Sequence, residues 1–265
     1  MDAATEYQIV PVCAFSDNYI WILRRGNQAA VVDPGDAAPV LAYLEQQQLE
    51  LCAILVTHHH GDHIGGIETL LQRYHVPVIG PKGEPIDALS DQLVDADTFV
   101  LPQIAAGFEV IAVPGHTRAH IAYYDSNHSG CGSLFCGDTL FACGCGRVFE
   151  GTPSQMRQSL ARLAALPGST RIYCAHEYTQ ANVRFALAVE PGNAALQARA
   201  EEVAQLRATQ QPTIPSTIAQ ELQVNPFLRW NAAEVIAAAQ RQQGTPITQA
   251  DDVFAAIREW KNTFK

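Results

Sequence analysis

The sequence predicts an α+β protein in which a strand-rich first domain with covering helices, residues 1–176, precedes a smaller all-helical domain, residues 177–265. Three observations carry this reading. Short β-branched and aromatic runs, set off by turn residues, recur as far as His176 and are interleaved with stretches of helical spacing. Beyond His176 that signature stops, and Ala, Gln, Glu and Arg dominate in helical stretches. Charge divides at the same point: nine Lys or Arg face eighteen Asp or Glu through residue 176, and eight face nine after it. At 265 residues the chain is long enough for one large domain or two modest ones.

Along the chain, residues 8–12 (QIVPV), 19–25 (YIWILRR) and 28–33 (QAAVVD) read as strands bounded by Asp17, Asn18, Gly26 and Asn27. Asp36 stands as an N-cap before APVLAYLEQQQ, whose apolar residues recur at helical spacing. Residues 52–57 (CAILVT) are a continuous apolar run, the mark of a buried strand, and lead directly into HHHGDHIGG. A helix over residues 67–75 is expected, opened by the Gly65-Gly66 pair. Strands follow at 108–113, 119–125, 133–138 and 171–176, with a helix from about Ser154 to Ala165 before the last. The remaining helices are expected between breaks at 191–193 (PGN), 210–216 (QQPTIPS) and 225–226 (NP). Strands and helices mixed in this order imply sheets covered by helices in the first domain.

Hydrophobic residues at 48% with charged residues at 17% belong to a globular chain rather than a disordered one. A net charge of −10 repels phosphate backbones, so nucleic acid is not an expected partner. No apolar run reaches the ~20 residues needed to span a bilayer, so no membrane partner is expected. Residues 1–25 lack the basic start and apolar core of a secretory signal. Seven cysteines, an odd number, lie mostly in apolar runs and read as reduced thiols of a cytoplasmic protein. Nothing in the sequence demands a second copy, so a monomer is expected.

The chemistry concentrates in THHHGDHIGG, residues 57–66, where four His and one Asp fall within six residues after a buried strand. Imidazole suits zinc, iron and manganese, and carboxylate suits the harder ions. His58 and His60 sit two apart on an extended chain, so their side chains point the same way and that of His59 points away. Asp62 and His63 follow where the loop turns into a helix and face a neighbouring position. The other ligands are expected from strand ends at one sheet edge: His116 in PGHT, Asp138 in SLFCGD and His176 in RIYCAH. His58, His60 and His116 then hold one divalent metal, and Asp62, His63 and His176 a second. Asp138 bridges them, at the ~3.5–4 Å separation of hydrolytic two-metal sites. Seven His and Asp ligands leave positions open to water, unlike a closed structural zinc site. Cys143 and Cys145 are spaced like metal ligands but have no second cysteine pair, and they read as structural thiols. His75, His120 and His128 read as surface or core histidines.

At these residues the chain resembles the metallo-β-lactamase superfamily, through Thr57 to His63 and then His116, Asp138 and His176. Longer segments narrow the resemblance: PGHTRAHIAYY, LFCGDTLFACGCGRVFEGTPSQM, AHEYTQANVRFALAVEPGN, NPFLR and IREWKNTFK are similar to the glyoxalase II, or hydroxyacylglutathione hydrolase, family. The similarity runs from SDNYIW to the last residue. It implies an αββα sandwich followed by a helical substrate domain. It also implies two divalent metals, zinc first with iron or manganese as alternatives. The implied reaction is hydrolysis of S-D-lactoylglutathione, and of other S-2-hydroxyacylglutathiones, to D-lactate and glutathione in methylglyoxal detoxification. Glutathione contacts carry over to Arg147 in GCGRVFEG, Tyr178 in HEYT, and Arg258 and Lys261 in IREWK. Phe149 stands where the family has tyrosine, and the missing hydroxyl bears on affinity by ~0.5–1.5 kcal/mol. A persulfide dioxygenase with one iron, a lactonase and a non-enzymatic metal scaffold are the competing readings. The glutathione-directed segments argue against all three.

The expected mechanism follows from the charges. Two divalent cations outweigh Asp62 and Asp138 and bring the pKa of water down to roughly 7 at zinc, making hydroxide the expected nucleophile at neutral pH. One metal stabilises the oxyanion that forms from the thioester carbonyl. Asp33, in VVDPGD, is expected either to orient a ligand histidine from behind or to serve as a turn or cap residue. An anionic substrate on an acidic protein needs a local positive patch, which Arg147, Arg258 and Lys261 supply; taken singly, each also fits a solvated surface charge.

Overall fold

The structure is a computed structural model that describes residues 6–247 and 249–264. They belong to two compact units: one runs through Ala112 and includes Thr117–Gly137, and the other comprises Val113–His116 and the chain from Asp138 onward. The composition change near residue 176 lies inside the second unit.

In the first unit β1 (Gln8–Ala14), β2 (Asn18–Arg25) and β3 (Gln28–Val32) form an antiparallel meander. Asp36 caps α1 (Ala37–Gln47), its side chain accepting from the Ala38 N–H, and α1 leads to β4 (Glu50–Leu55), parallel to β3. The short α2 (Gly61–Ile64) and α3 (Ile67–Arg73) precede β5 (Val78–Pro81) and β6 (Asp91–Leu93), which complete a sheet in the order β1 to β6. Val40 and Leu44 of α1 and Leu70 of α3 pack with Ile20, Ile22, Val31 and Ile54 of the sheet in one core. Each such side chain contributes roughly 1.5–3 kcal/mol on burial. The sequence did not announce β5 or β6: VIGP carries Gly and Pro, which weaken a strand signal, and DQL has no apolar alternation.

The same unit holds β7 (Thr98–Leu101), β8 (Ala106–Ala112), β9 (Ile121–Asp125) and β10 (Ser133–Gly137), each antiparallel to the next. Phe108 meets Tyr123 and Phe135 edge-on, each with ring centroids 6.2 Å apart. The Tyr123 hydroxyl donates to the carbonyls of Val56 (2.7 Å) and Ile79 (3.0 Å), tying the two sets of strands together.

The second unit opens with β11 (Leu140–Phe141) and β12 (Gly144–Cys145), a hairpin whose turn holds Cys143 at φ 55°. Thr152 and Gln155 form a capping box at the start of α4 (Pro153–Ala164), with Pro153 in its first turn. Then come β13 (Arg171–Cys174), α5 (Thr179–Val189), α6 (Ala194–Ala208), β14 (Ser216–Thr217), α7 (Ile218–Val224), α8 (Ala233–Gln243) and α9 (Ala250–Thr263). β14 corrects the expectation that no strand follows His176. Its two residues pair with Arg171 and Ile172, a tertiary contact too short to leave a periodic signal. Phe185, Phe227 and Phe254 are fully buried among these helices. Among the described residues no helix is long and apolar enough to cross a membrane. All seven cysteines are thiols.

Candidate functional site

β4 is flanked by β3 and β5, so its end delivers Thr57 and His58 fully buried. His58 and His60 converge as the extended spacing predicts, with Nε2 of His58 3.1 Å from Nδ1 of His60. His59 turns the other way, onto Glu84. α2 then carries Asp62 and His63 on its single turn. Asp62 accepts from Asn18 Nδ2 at 3.0 Å, and its Oδ2 lies 3.5 Å from His63 Nε2.

Asp33 stands behind this loop in a left-handed conformation, φ 53°, which Asp tolerates better than most residues. Its buried carboxylate accepts from the Thr57 N–H (2.8 Å) and the Thr57 hydroxyl (2.7 Å), and lies 3.1 Å from His63 Nδ1. A carboxylate only accepts, so Nδ1 of His63 carries a proton, and in the neutral imidazole Nε2 keeps its lone pair. The Thr57 hydroxyl, having donated to Asp33, accepts from Nδ1 of His58 at 3.1 Å, and His58 likewise presents Nε2. One carboxylate thus sets the tautomers of two histidines. Gly35 makes the approach possible: a Cβ there would lie 1.8 Å from the Asp62 carbonyl oxygen.

In the second unit His116, Asp138 and His176 meet. Nε2 of His116 lies 3.4 Å from Asp138 Oδ2, and Nε2 of His176 lies 3.3 Å from Asp138 Oδ1. Nδ1 of His116 donates to the Arg147 carbonyl at 2.9 Å, so in the neutral imidazole its Nε2 also turns a lone pair toward the carboxylate. A lone pair facing a carboxylate oxygen is repulsive until a cation joins them. The ring of His176 stacks on Tyr178, centroids 4.6 Å apart and planes 5° from parallel. Gly146 allows the Asp138 backbone in, since a Cβ there would be 1.8 Å from its carbonyl oxygen. The seven predicted ligands each offer an imidazole nitrogen or carboxylate oxygen, a donor set that fits a divalent transition metal.

A cavity of about 510 Å³ in the second unit is lined by His116 and Asp138 and by Arg147, Phe149, Tyr178, Arg258 and Lys261, the full set of predicted substrate residues. Arg258 is only 5% exposed, unlike a solvated surface charge. Its Nη1 donates to the Cys145 carbonyl at 2.9 Å, and its buried Nε has no hydrogen-bond partner among the described residues. Lys261 donates to the Ala181 carbonyl at 3.2 Å. Burial first, and then the neighbouring Arg258, Arg184 and Arg147, bring its ammonium down from 10.5 to about 8. Cations held on carbonyl oxygens and pressed together in this way suit an anionic ligand.

Several parts escaped the sequence reading. Asn182, Asn262 and Phe264 also line the cavity. Asn225 donates to the carbonyls of Phe141 (3.1 Å) and Gly144 (2.9 Å), and Glu221 accepts from the Cys143 N–H (2.7 Å), so α7 holds the β11–β12 turn. The Asn225-Pro226 helix break was the available signal. Cys143 and Cys145 are buried, and burial raises both thiols, which keeps them protonated and suits a structural role. His128 is a core histidine bonded to Ser133 Oγ (2.6 Å) and the Tyr7 carbonyl (2.9 Å). His120 is fully buried and stacks on His58 at 4.6 Å, and His75 is exposed.

Comparison with known proteins places this geometry. Residues 15–176 match the metallo-beta-lactamase superfamily, and residues 177–264 match the hydroxyacylglutathione hydrolase C-terminus. A hydroxyacylglutathione hydrolase of Cupriavidus taiwanensis is 54% identical over 97% of this chain and 99% of its own length. One from Nitrosomonas europaea is 49% identical over 97% of this chain and 96% of its own. Among solved structures, ETHE1 from Myxococcus xanthus superposes with a TM-score of 0.64 at 24% identity, covering 96% of this chain and 97% of that one. The BLEG-1 B3 metallo-beta-lactamase gives 0.60 at 23% identity, covering 84% and 99%. These two likenesses establish the fold.

Proposed function

This chain belongs to the hydroxyacylglutathione hydrolase family of the metallo-beta-lactamase superfamily, and on that premise we propose that it hydrolyses S-2-hydroxyacylglutathiones, S-D-lactoylglutathione first, to the hydroxy acid and glutathione. The observation that carries the proposal is a single cavity lined both by His116 and Asp138 and by Arg147, Arg258 and Lys261. Groups suited to a cation and groups suited to an anion share one space, as a substrate with a reactive carbonyl and a charged peptide tail requires.

His58, His60 and His116 would hold one divalent metal and Asp62, His63 and His176 the other, with Asp138 shared. Zinc is the proposed ion, and when bound the pair supplies water activation and polarisation of the thioester carbonyl. The protein's own groups do the rest. Asp33 keeps the protons of His63, and through Thr57 of His58, on Nδ1. Arg258 and Lys261 take the glycine carboxylate of glutathione, with Arg147 adding positive potential, and the Tyr178 hydroxyl bonds the peptide. Phe149 contributes a ring and no hydroxyl. Residues 1–176 are proposed as the catalytic domain and 177–265 as the glutathione domain of a cytoplasmic monomer acting in methylglyoxal detoxification.

The test is the loss of thioester absorbance from S-D-lactoylglutathione with metal-loaded and chelated protein. Fast, chelator-sensitive hydrolysis is expected. Absence of turnover with about two metals bound per chain, the stoichiometry of a two-metal site, would overturn the proposal.

A further inference from the structure

Glu84 has no part in the reaction as described, yet its side chain is only 2% exposed. Removing a carboxylate from water costs several kcal/mol unless donors replace the water, and here they do. Oε1 accepts from the Thr117 hydroxyl (2.6 Å) and the Ala119 N–H (2.9 Å). Oε2 accepts from the His59 N–H (3.3 Å) and contacts His59 Nδ1. One oxygen therefore faces the segment that leads into β9, and the other faces the histidine loop after β4.

This arrangement accounts for His59, which backbone alternation turns away from the faces of His58 and His60. A backbone N–H and a ring nitrogen of the same residue, both directed at one carboxylate, fix its main chain and its χ angles together. The directions in which the Cβ atoms of His58 and His60 leave the chain are then fixed as well. The His59 ring also lies against that of His60, centroids 5.0 Å apart and planes at 65°. We propose that Glu84 is a positioning residue for the His58–His60 pair, acting through His59, and that it sets how tightly the pair takes a metal. This rests on the reading of His58 and His60 as metal ligands.

The test uses the full chain as wild type, Glu84→Gln and His59→Gln, with zinc affinity measured by competition against a chromophoric chelator. The visible absorption of the cobalt(II)-substituted proteins is recorded beside it. Glu84→Gln keeps an acceptor for Thr117 and Ala119 but sets an amide NH2 against His59. His59→Gln keeps the backbone bond and loses the ring. Both variants are expected to bind zinc about 10–100-fold more weakly and to shift the cobalt bands, with KM for the thioester at saturating metal unchanged. Wild-type zinc affinity and an unshifted cobalt spectrum in the variants would overturn the proposal. If Glu84→Gln does not fold, His59→Gln decides alone. Wild-type protein that takes up no zinc would overturn the ligand reading and this inference with it, whereas wild-type uptake with unaltered variants overturns only this inference.

Discussion

Behind the histidines of the first unit stand carboxylates: Asp33 holds His63 and Thr57, Glu84 holds His59, and Asp62 follows on α2. In the cavity of the second unit the supports are reversed, with Arg258 and Lys261 resting on carbonyl oxygens and Arg147 in the same lining. Both regions hold buried charge on hydrogen-bond partners, Asp33 and Glu84 on N–H and O–H donors and Arg258 on a carbonyl oxygen. On the proposed function, carboxylates stand behind the histidines that would take a cation, and cations stand where the glutathione carboxylate would bind.

The comparison breaks most visibly if the cation is withdrawn. Several kcal/mol of transition-state stabilisation depend on it, at about 1.4 kcal/mol per tenfold, so chelation should lower kcat by about 10³-fold or more. A steady-state assay before and after readdition of zinc reads this directly. Weakening the anion side should leave kcat nearly intact. A charge-assisted bond contributes ~1.5–3 kcal/mol, so Arg258→Met should raise KM by about 10–150-fold while metal content by elemental analysis stays at the wild-type value.

The state of Lys261 gives a third way to sharpen the contrast. Its ammonium titrates near 8 in the unliganded protein, and a bound carboxylate raises that value. Above about pH 8 binding must therefore take up a proton, and KM should climb by up to tenfold per pH unit, whereas below it KM should be flat. Lys261→Arg, which keeps its charge, should flatten the rise in a KM-against-pH series. The smallest effect is expected at Phe149. Phe149→Tyr restores one hydroxyl, and ~0.5–1.5 kcal/mol corresponds to a KM about 2–10-fold lower, measured with kcat unchanged.

What the sequence made legible follows the same physics. His58, His60, Asp62 and His63 stood out because packing does not explain four titratable ligands after a buried strand. Asp36 acts within its own helix turn, and local chemistry is readable. Asp33 was readable only as a residue of a D-P-G turn with two possible roles, because its partners Thr57 and His63 lie 24 and 30 positions away. Glu84 left no trace at all: its partners are 25 to 35 residues distant, and a lone glutamate in a loop looks like any solvated charge. Gly35 and Gly146 hide for the same reason, since the backbone that would strike their Cβ comes from elsewhere in the chain.

The most direct test of the central claim compares S-D-lactoylglutathione with the same lactoyl thioester on N-acetylcysteamine, which lacks the charged peptide. Two lost charge-assisted bonds at ~1.5–3 kcal/mol each predict a kcat/KM lower by at least about 10²-fold for the neutral thioester. Turnover of both substrates should stop on chelation. Equal kcat/KM for the two, or hydrolysis that survives removal of the metal, would contradict the account.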